Sequence, residues 1–275
     1  MTSTQPAAGY VRSGLPYNRL GHGPRPLVVV QGLVFENKPQ PGLATAMYRF
    51  LGQDYTVFSV VRRPGLPQGY TLDDMAGDYA AMIREEFGGP VDVIGVSTGG
   101  SIVQPLAADH PDVVRRLVIH SSAHRLSDPA RAAQLEVGRL AEQRRWREAW
   151  ATLLGFMLGS GPLARAQTWI ASPLLSFSKP ADPSDLVITI LAEDQFSYRE
   201  QLARIAAPTL VIAGDRDPFY TPALLRETAA GIPDARLILY PGMGHPASGK
   251  RFKQDVLAFL GEGRDDKGGN DGRVL

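Results

Sequence analysis

The sequence contains no cysteine, which excludes a disulfide framework, a thiolate nucleophile and any thiolate metal site. It also lacks an excess of either charge. Its 29 lysines and arginines stand against 28 aspartates and glutamates, a formal net charge of +1. Neither a basic face suited to nucleic acid nor an acidic disordered activator is expected, so nucleic acid is not an expected partner. The five histidines do not cluster at ligand spacing, and no metal site is expected. No apolar stretch approaches membrane-spanning length, and residues 1–15 have no charged start followed by an apolar run. The expectation is a cytoplasmic protein without a membrane partner. No internal repeat is visible.

What is present is an alternation of short β-branched runs and helical patterns, in a chain of 275 residues that can bury a large core. Gly9–Arg12 and Leu15–Leu20 read as two short antiparallel strands. Leu27–Val30 is a strand buried on both faces, bounded by Pro26 and Gly32. A helix is expected over Leu43–Leu51 and a strand over Tyr55–Val61. Thr71, followed by Asp73, Asp74 and apolar residues at helical spacing, reads as the N-cap of a crossover helix. Val91–Val96 and Arg116–His120 are further strands, with a helix between them that Pro105 should kink. The alternation stops there. About eighty residues follow with helical patterning, apart from an ambiguous run at Leu186–Leu191. Asp128-Pro129 and Asp182-Pro183 each read as an N-cap acid before a proline at the first helical position. The alternation resumes with strands Pro208–Ala213 and Arg236–Tyr240 and a last helix over Gly249–Leu260. The fold class is therefore α/β, with a mostly parallel central sheet flanked by helices and a helical cap inserted after the sixth strand. The expected divisions are 1–124 and 207–260 for the two parts of the core, 125–206 for the cap and 261–275 for a disordered tail.

The chemistry centres on Gly95-Val96-Ser97-Thr98-Gly99, which fits the G-x-S-x-G pattern. There a serine sits on a strained strand-to-helix turn with its hydroxyl above the sheet. Side chains at Gly95 or Gly99 would collide where strand and helix approach. The amide of Thr98, at the start of a helix, can face an oxyanion formed beside Ser97. Leu33, at the exit of the Leu27–Val30 strand, is the candidate second donor. A serine hydroxyl needs a base within reach, and the base needs an acid that fixes its tautomer. The Gly214-Asp215-Arg216-Asp217 and Gly242-Met243-Gly244-His245 exits supply both residue types, in the order Ser, Asp, His. Asp215 competes with Asp217 as the acid. His124 is a rival base on a strand exit, with pocket lining as its other role. His110 reads as structural, and His22 and His120 carry no motif. Arg62 and Arg63 read as a solvated or salt-bridged pair, with an anionic substrate as the alternative partner, and Asp92 and Asp194 as surface or capping groups.

Together these pieces, with Gln31-Gly32-Leu33, Ala108-Asp109-His110-Pro111 and Pro208–Pro218, resemble the α/β-hydrolase-fold superfamily of capped serine esterases, lipases and C–C hydrolases. The resemblance covers nearly the whole chain. It implies Ser97 as nucleophile, Asp217 as acid, since the family's acid usually lies three residues after the glycine, His245 as base, and the amides of Leu33 and Thr98 as the oxyanion hole. The family often has His-Gly where this chain has Gln31-Gly32, so no histidine acts there. Serine at the elbow argues against the carboxylate-attack chemistry of dehalogenases and epoxide hydrolases. Expected pocket residues are Gln31, Val34, Phe35, His124, Trp146 and Trp150, although the stripe Trp146, Trp150, Leu153, Leu154 and Met157 reads mainly as packing. The expected activity is hydrolysis of a small or medium, apolar carboxylic ester, thioester or lactone through an acyl-enzyme, with no cofactor. C–C hydrolysis or perhydrolysis by the same residues is the alternative. A reading from another class is a small-molecule receptor that keeps the triad.

Overall fold

The computed structural model describes residues 7–39, 46–159, 161–176 and 180–262. Its strands are β1 (Ala8–Tyr10), β2 (Pro16–Leu20), β3 (Arg25–Val30), β4 (Tyr55–Val60), β5 (Val91–Val96), β6 (Val114–His120), β7 (Thr209–Gly214) and β8 (Ala235–Tyr240). They form one sheet in the order β1-β2-β4-β3-β5-β6-β7-β8. The first two strands pair antiparallel, as expected for the opening residues, and the remaining six run parallel. Period-two alternation divides each central strand between two cores. Val28, Val30 and Val93 join one cluster with Met75 and Ile83 of α1 (Leu72–Phe87) and Ile102 and Leu106 of α2 (Thr98–Asp109). Leu27, Val29 and Ile94 face the other side, where Phe252, Val256 and Phe259 of the last helix cover them. Both faces are apolar because both are covered, which is why these strands read as continuous hydrophobic runs.

Local rules place the helix ends. Thr71 accepts from the Asp74 amide (3.1 Å) while Asp74 accepts from the Thr71 amide (2.9 Å), a reciprocal capping box. The helix stops at Gly88, whose φ of 67° is the left-handed conformation glycine tolerates. α2 continues through Pro105 to Asp109.

After β6 come α3 (Asp128–Glu142), α4 (Trp146–Leu158), α5 (Pro162–Ser176) and α6 (Ser184–Asp194), then a short 3-10 segment, Arg199–Arg204, before β7. The ambiguous Leu186–Leu191 run is helix, inside α6. The N-cap of α3 is Ser127, whose hydroxyl accepts from the Ala130 amide at 3.3 Å, and not Asp128, which is the first helical residue. Pro183 precedes α6 while Asp182 accepts from the Ser184 amide at 3.0 Å. Phe35, Val137, Leu140, Trp146, Leu186 and Ile190 make a third cluster joining these helices to the β3 exit. The remaining helices are α7 (Pro222–Gly231) and α8 (Lys250–Gly261). The helix expected over Leu43–Leu51 ends as a 3-10 turn at Arg49–Leu51, and its start lies outside the described residues. Of the expected tail, residues 263–275 also lie outside them. No helix among the described residues is long and apolar enough to cross a membrane.

Candidate active site

The β5–α2 turn holds Ser97 at φ 53° and ψ −127°, a conformation that a non-glycine residue adopts only when its surroundings enforce it. The enforcement is steric. A Cβ on Gly99 would stand 2.1 Å from the Val30 carbonyl oxygen, and one on Gly95 would stand 2.5 Å from the Gly99 oxygen. Strand and helix can close on the serine only with glycine at both places. Thr98 then opens α2, and as the first helical residue its amide has no partner one turn back.

The exits of β7 and β8 bring the other two groups to this serine. His245 Nε2 lies 3.1 Å from Ser97 Oγ, and His245 Nδ1 lies 2.7 Å from Asp217 Oδ2. The other oxygen, Asp217 Oδ1, accepts from the amides of Phe219 (2.9 Å) and Tyr220 (3.1 Å). A carboxylate facing Nδ1 accepts the ring N–H, which leaves the Nε2 lone pair toward the serine hydroxyl. Asp217 is 4% exposed, so this bond is shielded from water. Asp215 accepts from the Gly242 amide at 2.7 Å and so braces the β7 and β8 exits against each other.

A cavity of about 250 Å³ opens over Ser97 and His245. Gln31, Leu33, Val34, Trp150, Leu153 and Met157 help line it, so the α4 stripe supplies wall as well as packing. The Gln31 side chain is already engaged, donating to Ser59 Oγ at 2.6 Å. Among the described residues, Phe35, Trp146 and His124 stand outside this lining. Phe35 stacks on Trp150 from behind, with ring centroids 3.8 Å apart, and Trp146 packs against Phe35. These two form the wall's backing because an aromatic pair must itself be buried to hold the Trp150 face. His124 is drawn away: its Nδ1 meets Thr228 Oγ1 at 3.1 Å and its Nε2 faces Glu227 at 3.6 Å. Burial lowers the pKa of that ring. A more voluminous cavity, about 490 Å³, is lined by Asp73, Asp109 and Arg204 and contains none of Ser97, Asp217 and His245. Among the described residues, no group of three or more His, Asp or Glu side chains could hold a metal ion.

Three buried polar residues contribute to the site without having been singled out for it by sequence. His120 ends β6 beneath the His245 loop, with Nε2 2.8 Å from the Ala247 carbonyl and Nδ1 2.7 Å from Tyr48 OH. A carbonyl only accepts, so Nε2 carries the proton and the Tyr48 hydroxyl donates to Nδ1. Burial drives the His120 pKa down to about 3. Next to it, Ser121 Oγ accepts from the Ala247 amide at 2.9 Å. Glu193, from α6, accepts from Thr98 Oγ1 (2.7 Å), Ser101 Oγ (2.9 Å) and Tyr220 OH (3.0 Å). It thus joins the inserted helices to the elbow helix and to the loop that follows Asp217. Burial raises its carboxyl pKa against the opposing effect of these hydroxyls. Arg62 departs from the solvated or salt-bridged reading: it is 1% exposed and donates to the carbonyls of Gln31 and Gly32. Arg63 does meet a carboxylate, Asp78, at 3.6 Å. Asp92 is also buried, not superficial, because Tyr55 OH donates to it (2.7 Å) and the Arg115 guanidinium pairs with it.

Comparison with known proteins places these features in context. The alpha/beta hydrolase fold family matches residues 40–250. The chain is 26% identical over 234 residues to the pimeloyl-acyl-carrier-protein methyl ester esterase of Nitrosomonas europaea, covering 82% of this chain and 90% of that protein. It is 32% identical over 201 residues to the polyketide synthase ThaQ of Burkholderia thailandensis, which covers 70% of this chain but spans only 9% of the synthase. Among solved structures, the enol-lactonase of Burkholderia xenovorans LB400 shares the fold with a TM-score of 0.71 at 21% identity, covering 93% of this chain and 100% of the lactonase.

Proposed function

The chain belongs to the alpha/beta hydrolase fold family and is a hydrolase, and from that premise we propose that it is a serine hydrolase cleaving a small or medium ester or thioester of an uncharged, apolar acyl group. The observation that carries this reading is the line from Asp217 through His245 to Ser97, with contacts of 2.7 and 3.1 Å, at the floor of a cavity lined by Leu33, Val34, Trp150, Leu153 and Met157. Ser97 Oγ attacks the acyl carbon as its proton passes to His245 Nε2. The amides of Leu33 and Thr98 hold the resulting oxyanion. The protonated His245 gives its proton to the departing alkoxide or thiolate, leaving the acyl group on Ser97. Water, deprotonated by the same nitrogen, then releases the acid. Asp217 holds the ring tautomer and stabilises the imidazolium. The helices between β6 and β7 act as a cap whose α4 wall selects the acyl group.

A cavity of about 250 Å³ supports a preference for acyl chains of medium length, which is tested with p-nitrophenyl esters from acetate to decanoate. Turnover should rise to a maximum at intermediate length and disappear in Ser97→Ala. Undiminished turnover in that variant would remove the proposal. The relative named for an ester on an acyl-carrier protein favours a carrier-borne acyl chain as the form in which substrate arrives. A carrier-loaded ester should then outcompete the same ester free in solution. Lactone hydrolysis, C–C hydrolysis and perhydrolysis need the same three residues. A diketone substrate, or peroxide as acceptor, in the panel separates them by rate.

A further inference from the structure

Arg62 is a buried charge in an unusual position. It lies just beyond the end of β4 and is 1% exposed, yet the described structure gives it no carboxylate at hydrogen-bond distance. Its Nη1 donates to the carbonyls of Gln31 (3.3 Å) and Gly32 (3.1 Å), and its Nη2 donates to the Gly32 carbonyl as well (3.1 Å). Its Nε is buried without a partner. The carboxylates whose fields reach it are those of Glu193 and Asp185. Both direct their hydrogen bonds elsewhere. Asp185 accepts from the amides of Gly65 (3.0 Å) and Leu66 (2.7 Å), and Glu193 accepts from three hydroxyls. A guanidinium taken out of water and paired only with carbonyls costs stability that a methionine of similar length would not. Its placement therefore points to a task other than packing.

The task follows from peptide geometry. In a trans peptide the C=O and the next N–H point in opposite directions. Two guanidinium donors on the Gly32 oxygen therefore fix the direction of the Leu33 N–H. The peptide sits where that direction matters, because a Cβ on Gly32 would lie 3.1 Å from Ser97 Cβ and 3.7 Å from Ser97 Oγ. The same exit is held from its other end. The Gln31 amide donates to the Val60 carbonyl (3.0 Å) and the Gln31 side chain to Ser59 Oγ (2.6 Å). Left unclamped, the Gly32–Leu33 peptide could rotate, since glycine offers no side chain to resist it.

We propose that Arg62 is a positioning residue of the oxyanion hole, holding the Gly32 carbonyl so that the Leu33 amide faces the oxyanion formed at Ser97. This rests on the serine-hydrolase reading given above. Arg62 touches no substrate, so it should act on the transition state and not on substrate binding. The test uses Arg62→Met, which keeps length and burial, and Arg62→Lys, which keeps the charge and one donor direction. Kinetics on p-nitrophenyl butyrate are measured beside inhibition by a trifluoromethyl ketone, whose hemiketal oxyanion occupies the same hole. In Arg62→Met, kcat should fall on the order of 10- to 100-fold, a part of the loss seen when one oxyanion donor is removed. KM should change by less than about threefold, ketone affinity should fall in parallel with kcat, and Arg62→Lys should recover part of both. A folded Arg62→Met with wild-type kcat and ketone affinity overturns the proposal, as does a loss confined to KM; should Arg62→Met not fold, an Arg62→Lys whose loss of kcat is not matched by a loss of ketone affinity overturns it. Wild-type protein that hydrolyses no ester, or a Ser97→Ala variant that does, marks failure of the hydrolase reading instead.

Discussion

His120 should make the fold sensitive to mild acid in a way that one substitution removes. Its ring is buried, stacked on Phe252 at 4.4 Å and bonded through both nitrogens, and its pKa falls from 6.5 to about 3, mainly through loss of solvation and secondarily through His245 nearby. Because the folded state holds the ring neutral, the unfolded chain takes up its proton first as pH falls. The stabilisation is therefore complete above pH 6.5 and is lost progressively between 6.5 and about 3. Each pH unit in that window costs about 1.4 kcal/mol, so roughly 3 kcal/mol should be gone by pH ~4.5. That is a substantial fraction of the ~5–15 kcal/mol that holds an ordinary domain together. Urea unfolding of the wild type and of His120→Gln, from neutral pH down to pH ~4.5, checks it. The variant starts less stable at neutral pH. Its deficit should shrink by roughly 1.4 kcal/mol per pH unit below 6.5, since carboxylates titrate in both proteins and cancel in the difference. A deficit that stays constant across the range would refute the reasoning.

Other perturbations read separate parts of the account. Asp217→Asn should stay folded and lose on the order of 10³–10⁴ in kcat, because the amide can hold the wrong His245 tautomer; steady-state kinetics beside circular dichroism measures it. Gly99→Ala places a methyl group 2.1 Å from the Val30 oxygen and should cost about 1–3 kcal/mol in thermal unfolding, with a larger loss of activity as Ser97 moves. Glu193→Ala leaves the hydroxyls of Thr98, Ser101 and Tyr220 without their acceptor and should cost about 2–4 kcal/mol, with Glu193→Gln closer to wild type.

The parts of this protein legible in its sequence are those whose signals are local. The elbow is written in Gly95, Ser97 and Gly99 because a sharp strand-to-helix turn has its steric demands within a few residues. The Thr71 cap and the buried runs of β3, β5 and β7 are legible for the same reason. Arg62 was not. Its role depends on a carbonyl of a neighbouring strand exit, and an Arg-Arg-Pro-Gly stretch looks like a solvated loop until the burial is known. Glu193 is likewise one acid just after a run ambiguous between strand and helix; only the fold sets it against Thr98 and Tyr220. Phe35, expected in the pocket wall, instead backs Trp150, and Trp146 keeps the packing role expected of most of its stripe, a distinction that depends on which face of α4 turns inward. His120 had no motif because its partners, Tyr48 and Ala247, are 72 and 127 residues away.

The central claim is that Ser97 is the group that becomes acylated. It is tested most directly by incubating the protein with a fluorophosphonate and locating the adduct by mass spectrometry of the digested protein. The account predicts one adduct per chain, on the peptide carrying Gly95 to Gly100, absent in Ser97→Ala and formed far more slowly in His245→Ala. An adduct on another serine, or labelling and ester turnover that persist in Ser97→Ala, would contradict it.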